Sequence, residues 1–408
     1  MRRLVLCLLA LLTTALPSLA DPVKGSLLIA GGDFRLDNPG WPRLVDLAGG
    51  KGAMILVLPT ASGDPAGSGG RIVAHLRSLG ANAILLPLAE RGFDRTPTDI
   101  VSDPVWIDRA RNAGGFFLVG GDQSRYTAVL LRPDGSDTPL LAAIRTAHAN
   151  GAVIAGSSAG AAIMSTTMIK DAPETLDLLA AGPVAGRTLG PGLGFIGPDW
   201  FVDQHFLARG RFARTLVAMD AAGYTHGLGV DENTAIIIHK RKAAEVVGAS
   251  GVVVVNTHAA TRRPGWPFAQ TGTVISLLRD GDRLDLPTGT VTPAIGRTNN
   301  PIDPSRRDFI PDPELPAALT TGDILAPWQF GQLMEKVLES QGGRAVGLAF
   351  DAATPARPAF RVILRREPAS RGWRGPELTV LNLILDIEPI RMADPLYHPA
   401  ADTRGTKS

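Results

Sequence analysis

Short, uninterrupted runs of apolar residues alternate along the first part of the chain with segments in which apolar side chains recur every three or four positions. The second pattern is typical of amphipathic helices and predicts them at residues 71–79, 107–112 and 140–149. The uninterrupted runs predict buried strands at residues 23–30, 53–58, 83–88, 116–119 and 152–155. Buried strands that alternate with helices indicate an α/β fold with a doubly wound, mostly parallel sheet. The loops after these strands are expected to share one face, where such sheets bind ligands.

One of these loops predicts a nucleophile. The sequence Gly156-Ser157-Ser158-Ala159-Gly160 fits the G-x-S-x-G pattern between a predicted strand and a predicted helix. In that setting the central serine lies on a strained turn, and the helix start can stabilise an oxyanion. Ser158 is therefore the candidate nucleophile. A plain Gly/Ser-rich turn and a phosphate-binding turn remain alternatives, whereas Gly31-Gly32 does not complete a dinucleotide-binding fingerprint.

Two polar clusters follow downstream. The first contains Asp203, Gln204 and His205 and continues into three arginines, Arg209, Arg211 and Arg214. These residues favour a ligand site, with a solvated helix start as the alternative. The second is the acidic pair Asp231-Glu232 before an apolar run, and Ser158, His205 and Glu232 together could form a nucleophile, base and orienter. This chain order differs from the Ser, acid, His order of α/β-hydrolases and disfavours that family.

Composition excludes several other classes. A formal net charge of +2 over 408 residues, with no basic stripe, predicts no nucleic-acid or membrane-surface partner. Residues 1–20 are typical of a signal peptide, with Arg2 and Arg3 before an apolar stretch and a small-residue cleavage site at Ala20. Export to the periplasm or the extracellular space is therefore expected. The only cysteine, Cys7, lies in this segment, so the mature chain would have no disulfide and no thiol nucleophile. No histidine spacing suggests zinc.

The ordered motifs resemble cyanophycinases and their relatives in the S51 serine peptidase family. The resemblance covers roughly residues 24–286, and the motifs that carry it are Gly120-Gly121-Asp122-Gln123 with Arg125, Gly156-Ser157-Ser158-Ala159-Gly160-Ala161, Asp203-Gln204-His205-Phe206 with the three arginines, and Gly229-Val230-Asp231-Glu232-Asn233-Thr234-Ala235. Asp122 stands where Asn is more frequent, and Ser157 where Thr is common.

The resemblance implies a class I glutamine-amidotransferase-like fold and a Ser158, His205 and Glu232 triad, without a metal or organic cofactor. The backbone N–H groups of Gly121 and Ala159 would form the oxyanion hole. The implied substrate is cyanophycin, a polyaspartate with arginine on each β-carboxyl group, or another β-aspartyl peptide. Because this substrate carries carboxylates and guanidinium groups, the candidate substrate-binding residues are Asp122, Gln123, Asp203, Gln204, Arg209, Arg211 and Arg214. An S51 peptidase specific for other α- or β-linked aspartyl peptides and a non-catalytic exported binding protein are the alternatives.

The division of the chain follows from the same patterns. Residues 21–298 are expected to form the peptidase domain. Residues 299–408 match nothing in the family pattern, and a predicted helix at 324–340 followed by strands at 345–350, 360–364 and 378–387 indicates a small α+β appendage of unknown role. That segment could complete a sheet edge, contact substrate or mediate assembly, and a homodimer is one assembly that the sequence leaves open.

Overall fold

A computed structural model describes residues 23–354 and 356–393 of the chain. The signal peptide predicted at residues 1–20 and the end of the C-terminal extension lie outside the described residues. The strands, in chain order, are β1 (Ser26–Ala30), β2 (Met54–Leu58), β3 (Asn82–Leu85), β4 (Gly115–Leu118), β5 (Val153–Ser157), β6 (Thr167–Ile169), β7 (Leu189–Pro191), β8 (Trp200–Gln204), β9 (His226–Val230), β10 (Thr234–His239), β11 (Ala243–Gly248), β12 (Gly251–Asn256), β13 (Thr261–Arg263), β14 (Ala269–Arg279), β15 (Arg283–Asp285), β16 (Val291–Thr292), β17 (Pro301–Ile302), β18 (Leu319–Thr321), β19 (Arg344–Ala349), β20 (Ala359–Arg365), β21 (Arg371–Trp373) and β22 (Thr379–Ile390).

The helices lie between these strands, and several begin with a proline after a side-chain cap, as Pro139 does after Thr138. Among the described residues, no helix combines the length and the apolar character needed to span a membrane. The helices are α1 (Gly40–Leu47), α2 (Pro65–Ser78), α3 (Pro97–Val101), α4 (Pro104–Asn112), α5 (Ser124–Leu130), α6 (Pro139–Asn150), α7 (Ala159–Ala162), α8 (Thr175–Ala181), α9 (Phe212–Ala222) and α10 (Gln329–Glu339), with one 3-10 turn at Ile295–Arg297.

The first sheet has nine strands in the order β16-β15-β11-β10-β1-β5-β4-β2-β3. Strands β1 to β5 are mutually parallel, and β10, β11, β15 and β16 extend the sheet as antiparallel strands beyond β1. This arrangement confirms the α/β class and the parallel sheet predicted from the apolar runs. The run predicted at residues 83–88 forms a strand only as far as Leu85, and the buried Leu86 and Leu88 continue it as a loop.

A second, mainly antiparallel sheet was not predicted. Its main path is β18-β19-β20-β22-β14-β12-β9-β8, and only the end pairs β8-β9 and β18-β19 are parallel. The predicted helix and strands of the C-terminal extension are present as α10, β19, β20 and β22. Strand β22 pairs with β14, so the extension continues a sheet of the preceding region.

Side-chain alternation along the strands divides the core into three layers. In β1, Leu28 and Ala30 face helices α1 and α2, whereas Leu27 and Ile29 belong to a cluster on the opposite side of the sheet. That second cluster also contains residues of β8, β9 and β12, so it joins the two sheets. A third cluster covers the other face of the second sheet with α8, α9 and α10.

Candidate active site

Ser158 lies in a strained turn between β5 and α7. Its backbone has φ +54° and ψ −108°, and its N–H donates to the carbonyl of Ala30 at 3.0 Å. The flanking glycines are required because a Cβ on Gly156 would lie 2.3 Å from the carbonyl oxygen of Gly160, and one on Gly160 would lie 2.2 Å from that of Leu118. The close packing therefore presents the Ser158 hydroxyl at the carboxyl end of the parallel strands, as a nucleophile requires.

His205 follows β8 and bridges the other two members of the predicted set. Its Nε2 lies 2.9 Å from Ser158 Oγ, and its Nδ1 lies 2.6 Å from Glu232 Oε1. Because a carboxylate only accepts, the Nδ1–H donates to Glu232 and Nε2 is left to accept from the hydroxyl; this tautomer follows from the partners. Burial lowers the pKa of His205, the hydrogen bond to Glu232 opposes that shift, and Arg209 adds to it. The imidazole is therefore neutral near pH 7, as a general base must be.

Glu232 lies in the turn between β9 and β10, where the chain passes from the second sheet to the first. The next residue, Asn233, has φ +48° and donates its N–H to the carbonyl of Gly32 at 2.8 Å. Asn38 stabilises this turn, because its Nδ2 donates to the carbonyl of Asn233 at 2.8 Å. The nucleophile thus follows a strand of one sheet and the base follows a strand of the other, with the acid between the two.

Two residues that position His205 were not among the predicted site residues. A Cβ on Gly32, which has φ +119°, would lie 2.1 Å from His205 Cε1, so only glycine leaves room for the imidazole. Asp231 is fully buried and accepts from the N–H groups of Leu207 and Ala208 at 2.9 and 2.8 Å. Two sequence features indicate these residues. One is the Gly31-Gly32 pair after β1, which was assessed only as a nucleotide-binding fingerprint, and the other is the acid directly before Glu232.

The predicted oxyanion donors lie beside the nucleophile. Strands β4 and β5 are parallel neighbours with Leu118 opposite Gly156, so the turn after β4 adjoins Ser158. A Cβ on Gly120 would lie 3.2 Å from Ser158 Cβ, which places the following Gly121 at the edge of the site. Ala159 is the first residue of α7. Gly121 and Ala159 therefore adjoin the serine, and their role as oxyanion donors stays a prediction.

Four of the predicted substrate contacts require correction, because the structure engages them internally. The buried Asp203 receives two hydrogen bonds from Arg214, at 2.8 and 2.5 Å, and its side chain is only 3% exposed. Burial alone would raise the pKa of Asp203, but the adjacent Arg214 holds it below the ordinary value. Arg211 donates to the carbonyl and side-chain oxygens of the buried Gln204 at 2.8 and 2.7 Å, and burial lowers its pKa to about 10. These two pairs hold the strand-to-helix connection around His205 rather than facing a ligand.

The other three candidates lie nearer to solvent. Gln123 is half-buried and donates to the carbonyl of Ile169 at 2.8 Å, so its amide supports a neighbouring segment. Asp122 is exposed, although one of its oxygens accepts from the backbone and hydroxyl of Ser124. The Arg209 side chain is 54% exposed, and its Nε lies 3.9 Å from Glu232 Oε1. Arg209 and Asp122 are therefore the charged candidates left to meet a ligand.

The arrangement provides the parts of nucleophilic acyl transfer: a hydroxyl, a neutral imidazole that can accept its proton, and a carboxylate that orients the imidazole. Within residues 23–354 and 356–393, no group of three or more His, Cys, Asp and Glu side chains is placed to hold a metal ion.

Comparison with known proteins supports the same chemistry. The family model for Peptidase family S51 matches residues 27–246, more than half of the chain. The chain is 33% identical over 264 residues to a cyanophycinase of Nostoc sp., which covers 62% of this chain and 82% of the relative. It is also 33% identical over 246 residues to a cyanophycinase of Geminocystis herdmanii, covering 58% and 82% of the two chains. A crystal structure of a peptidase from an acI-B1 Actinobacterium aligns with a TM-score of 0.47 at 21% identity, over 65% of this chain and 98% of that one. The family resemblance noted in the sequence motifs is therefore confirmed, and this chain is a serine-type peptidase that belongs to peptidase family S51.

Proposed function

We propose that this protein is an exported peptidase that hydrolyses cyanophycin to β-Asp-Arg dipeptides through an acyl-enzyme on Ser158. The observation that carries the chemistry is the unbroken contact from Ser158 Oγ through the His205 imidazole to the Glu232 carboxylate, at 2.9 and 2.6 Å. The proposed substrate rests on the identity to cyanophycinases and on the charged residues that remain exposed beside the triad.

The proposed reaction begins when Ser158 Oγ attacks the carbonyl carbon of the scissile amide while His205 Nε2 takes the hydroxyl proton. The oxyanion that forms receives hydrogen bonds from the N–H groups of Gly121 and Ala159. The carbon–nitrogen bond then breaks, and His205 gives its proton to the leaving amine. Water attacks the resulting ester, His205 takes a proton from that water, and the same proton returns to Ser158 Oγ as the acid product leaves.

Each supporting residue has a defined part in this scheme. Glu232 fixes the tautomer of His205 and stabilises the imidazolium that forms in each half-reaction. The exposed Arg209 offers a guanidinium beside the triad, where it would bind a substrate carboxylate. Asp122 is exposed one residue after the proposed oxyanion donor, and its proposed role is to bind a substrate guanidinium or N–H group.

The test is incubation of the mature protein with cyanophycin and identification of the products by mass spectrometry. The wild type and a Ser157→Ala variant, which alters the neighbouring serine outside the triad, are expected to release β-Asp-Arg. Ser158→Ala is expected to release none. If the wild type releases nothing from cyanophycin but an acylating probe still labels Ser158, the nucleophile is right and the substrate is not, and other aspartyl peptides become the candidates. Absence of both product and labelling would instead support a non-catalytic binding protein.

Export is a separate part of the proposal and rests on the residues before Asp21 alone. We expect the protein recovered from its native cells to begin near Asp21 and to lie outside the cytoplasm. An intact N-terminus on protein recovered from the cytoplasm would contradict export without affecting the peptidase assignment.

A further inference from the structure

A charged groove adjoins the turn that follows His205, and all its lining residues except Leu207 lie beyond the residues matched to the family. Its volume is about 470 Å³, and one wall is the side of helix α10 while the other is the turn at residues 374–378. Its aromatic, polar and charged lining includes the side chains of Trp328, Gln332, Glu335, Arg279 and Glu377.

The groove begins at the turn that carries His205. Leu207, two residues after His205, lines it, and the N–H of Trp328 donates to the carbonyl of Leu207 at 2.7 Å. Ser250 also lines the groove and donates its hydroxyl to Asp231, which holds the same turn. Because two residues span at most about 7 Å of extended chain, the groove lies within reach of a few units of a polymer bound at Ser158.

One wall presents an aromatic face in a fixed position. The Trp328 side chain is 48% exposed and its backbone is left-handed, with φ +56°, an unfavourable conformation for a residue with a large side chain. The strained residue is held by its hydrogen bond to Leu207. Gln332 and Glu335, on the helix α10 that follows, line the groove together with Trp328.

The groove is lined by three carboxylates, Glu335, Glu339 and Glu377, and by two guanidinium groups, Arg279 and Arg374, and Arg374 pairs with Glu339 at 2.7 Å. The buried guanidinium of Arg279 contacts one oxygen of Glu335 at 2.6 Å and one oxygen of Glu377 at 3.2 Å. Among the described residues, the second oxygen of each carboxylate has no hydrogen-bond partner. Burial raises the pKa of Glu377, and the neighbouring Glu335 adds to this shift. A second guanidinium would relieve the repulsion between the two carboxylates.

We propose that this groove is a subsite for an arginine side chain of the polymer, on a unit other than the one being cleaved. This inference rests on the function proposed above, and the charged and aromatic side chains of the subsite all lie beyond residues 27–246. The planar guanidinium would stack on the indole of Trp328 and donate to the second oxygens of Glu335 and Glu377. Trp328, Glu335 and Glu377 are specificity residues in this proposal, because they bind the substrate away from the reacting atoms.

The test is calorimetric titration of a synthetic (β-Asp-Arg)₃ oligomer into the full-length Ser158→Ala protein, which binds without turnover. Adding Trp328→Ala or Glu377→Gln is expected to weaken binding about tenfold, and Trp328→Phe by less, because a smaller aromatic face remains. Trp266→Ala and Glu388→Gln are the controls. Trp266 is an exposed tryptophan elsewhere, and Glu388 is an ion-paired glutamate elsewhere, on β22. Both controls should bind within twofold of the parent.

Two outcomes separate this inference from the function on which it rests. If the wild type hydrolyses cyanophycin but the groove variants bind the oligomer as tightly as the controls, the subsite is refuted and the function stands. If the wild type does not hydrolyse cyanophycin, the titration still tests the subsite. Oligomer binding that is weakened by substitution of Trp328 or Glu377 supports an arginine subsite. Oligomer binding that these substitutions leave unchanged, or no binding at all, refutes it.

Discussion

Replacing Gly32 by alanine should disable the active site while leaving the fold in place. The added Cβ would lie 2.1 Å from His205 Cε1 and 2.4 Å from His205 Nε2. Carbon atoms in contact need about 3.5 Å, so the ring must move by roughly 1.4 Å. A side chain can make that movement, whereas the buried backbone around it cannot.

The expected loss follows from the contact that this movement breaks. Ser158 Oγ and His205 Nε2 are 2.9 Å apart, and a shift of that size takes them beyond hydrogen-bond distance. A misplacement of about 1 Å costs on the order of 10²-fold in rate, and complete loss of a general base costs about 10²–10⁴-fold. We therefore expect Gly32→Ala to lose at least about 10²-fold in the rate at which Ser158 is acylated.

The assay is the rate of labelling of Ser158 by an acylating probe, which does not depend on the identity of the natural substrate. Gly151→Ala is the matched control, because Gly151 has a similar φ of +131° but nothing within 4 Å of its added Cβ. Both variants should lose about 1–3 kcal/mol of stability from backbone strain, measured by denaturant unfolding. Labelling of Gly32→Ala as fast as Gly151→Ala would refute the spatial explanation.

Three further predictions concern the charged residues of the site. Because the pKa of His205 is lowered mainly by burial, activity should be retained at pH 6.5 and fall only as the pH drops through that lowered value. Glu232→Gln removes the negative charge that raises this pKa, so a pH–rate profile should show a lower inflection and a rate reduced by about 10²–10⁴-fold. Arg214→Ala should destabilise the fold by up to about 3–5 kcal/mol at pH 7, since the buried Asp203 carboxylate would keep only the more distant Arg211 and the Thr215 hydroxyl. Protonation of Asp203 at low pH should reduce the difference in denaturant unfolding, and a raised KM at unchanged stability would contradict the structural role. Arg209→Ala should raise KM for an aspartyl-arginine substrate more than it lowers kcat, and Arg209→Lys should restore part of the loss; an unchanged KM would exclude Arg209 from substrate binding.

The parallel sheet and the nucleophile could be predicted from sequence because both are encoded locally. An apolar strand such as β5 is a continuous run, and the turn at Ser158 has glycines at fixed positions around the serine. His205 and Glu232 have no such local pattern. The two polar clusters made them candidates, the ordered motifs of the family implied their roles, and the structure brings both within hydrogen-bond distance of their partners.

The second sheet could not be predicted because its pairing joins distant segments. Strands β14 and β22 are about 100 residues apart in the chain, and periodicity does not indicate which strands become neighbours. The correction at Asp203 has a similar origin. A charged cluster in a sequence gives no sign of whether its members pair with one another or face a ligand, and here the packing of α9 beside β8 brings Arg214 onto Asp203.

Because the triad is divided between two sheets, the rate of the reaction depends on the exact position of one sheet relative to the other. Ser158 moves with β5 and His205 with β8, and the apolar layer between the sheets sets their separation. Removal of one methylene in that layer, for example by Ile29→Val, is expected to cost only about 0.5–1.5 kcal/mol of stability. The same change can shift one sheet by a fraction of an ångström and lower the rate far more than the melting temperature would suggest. Residues of this layer therefore affect the reaction rate although they do not contact substrate. Variants with a reduced rate and nearly normal stability should have their substitutions in this layer.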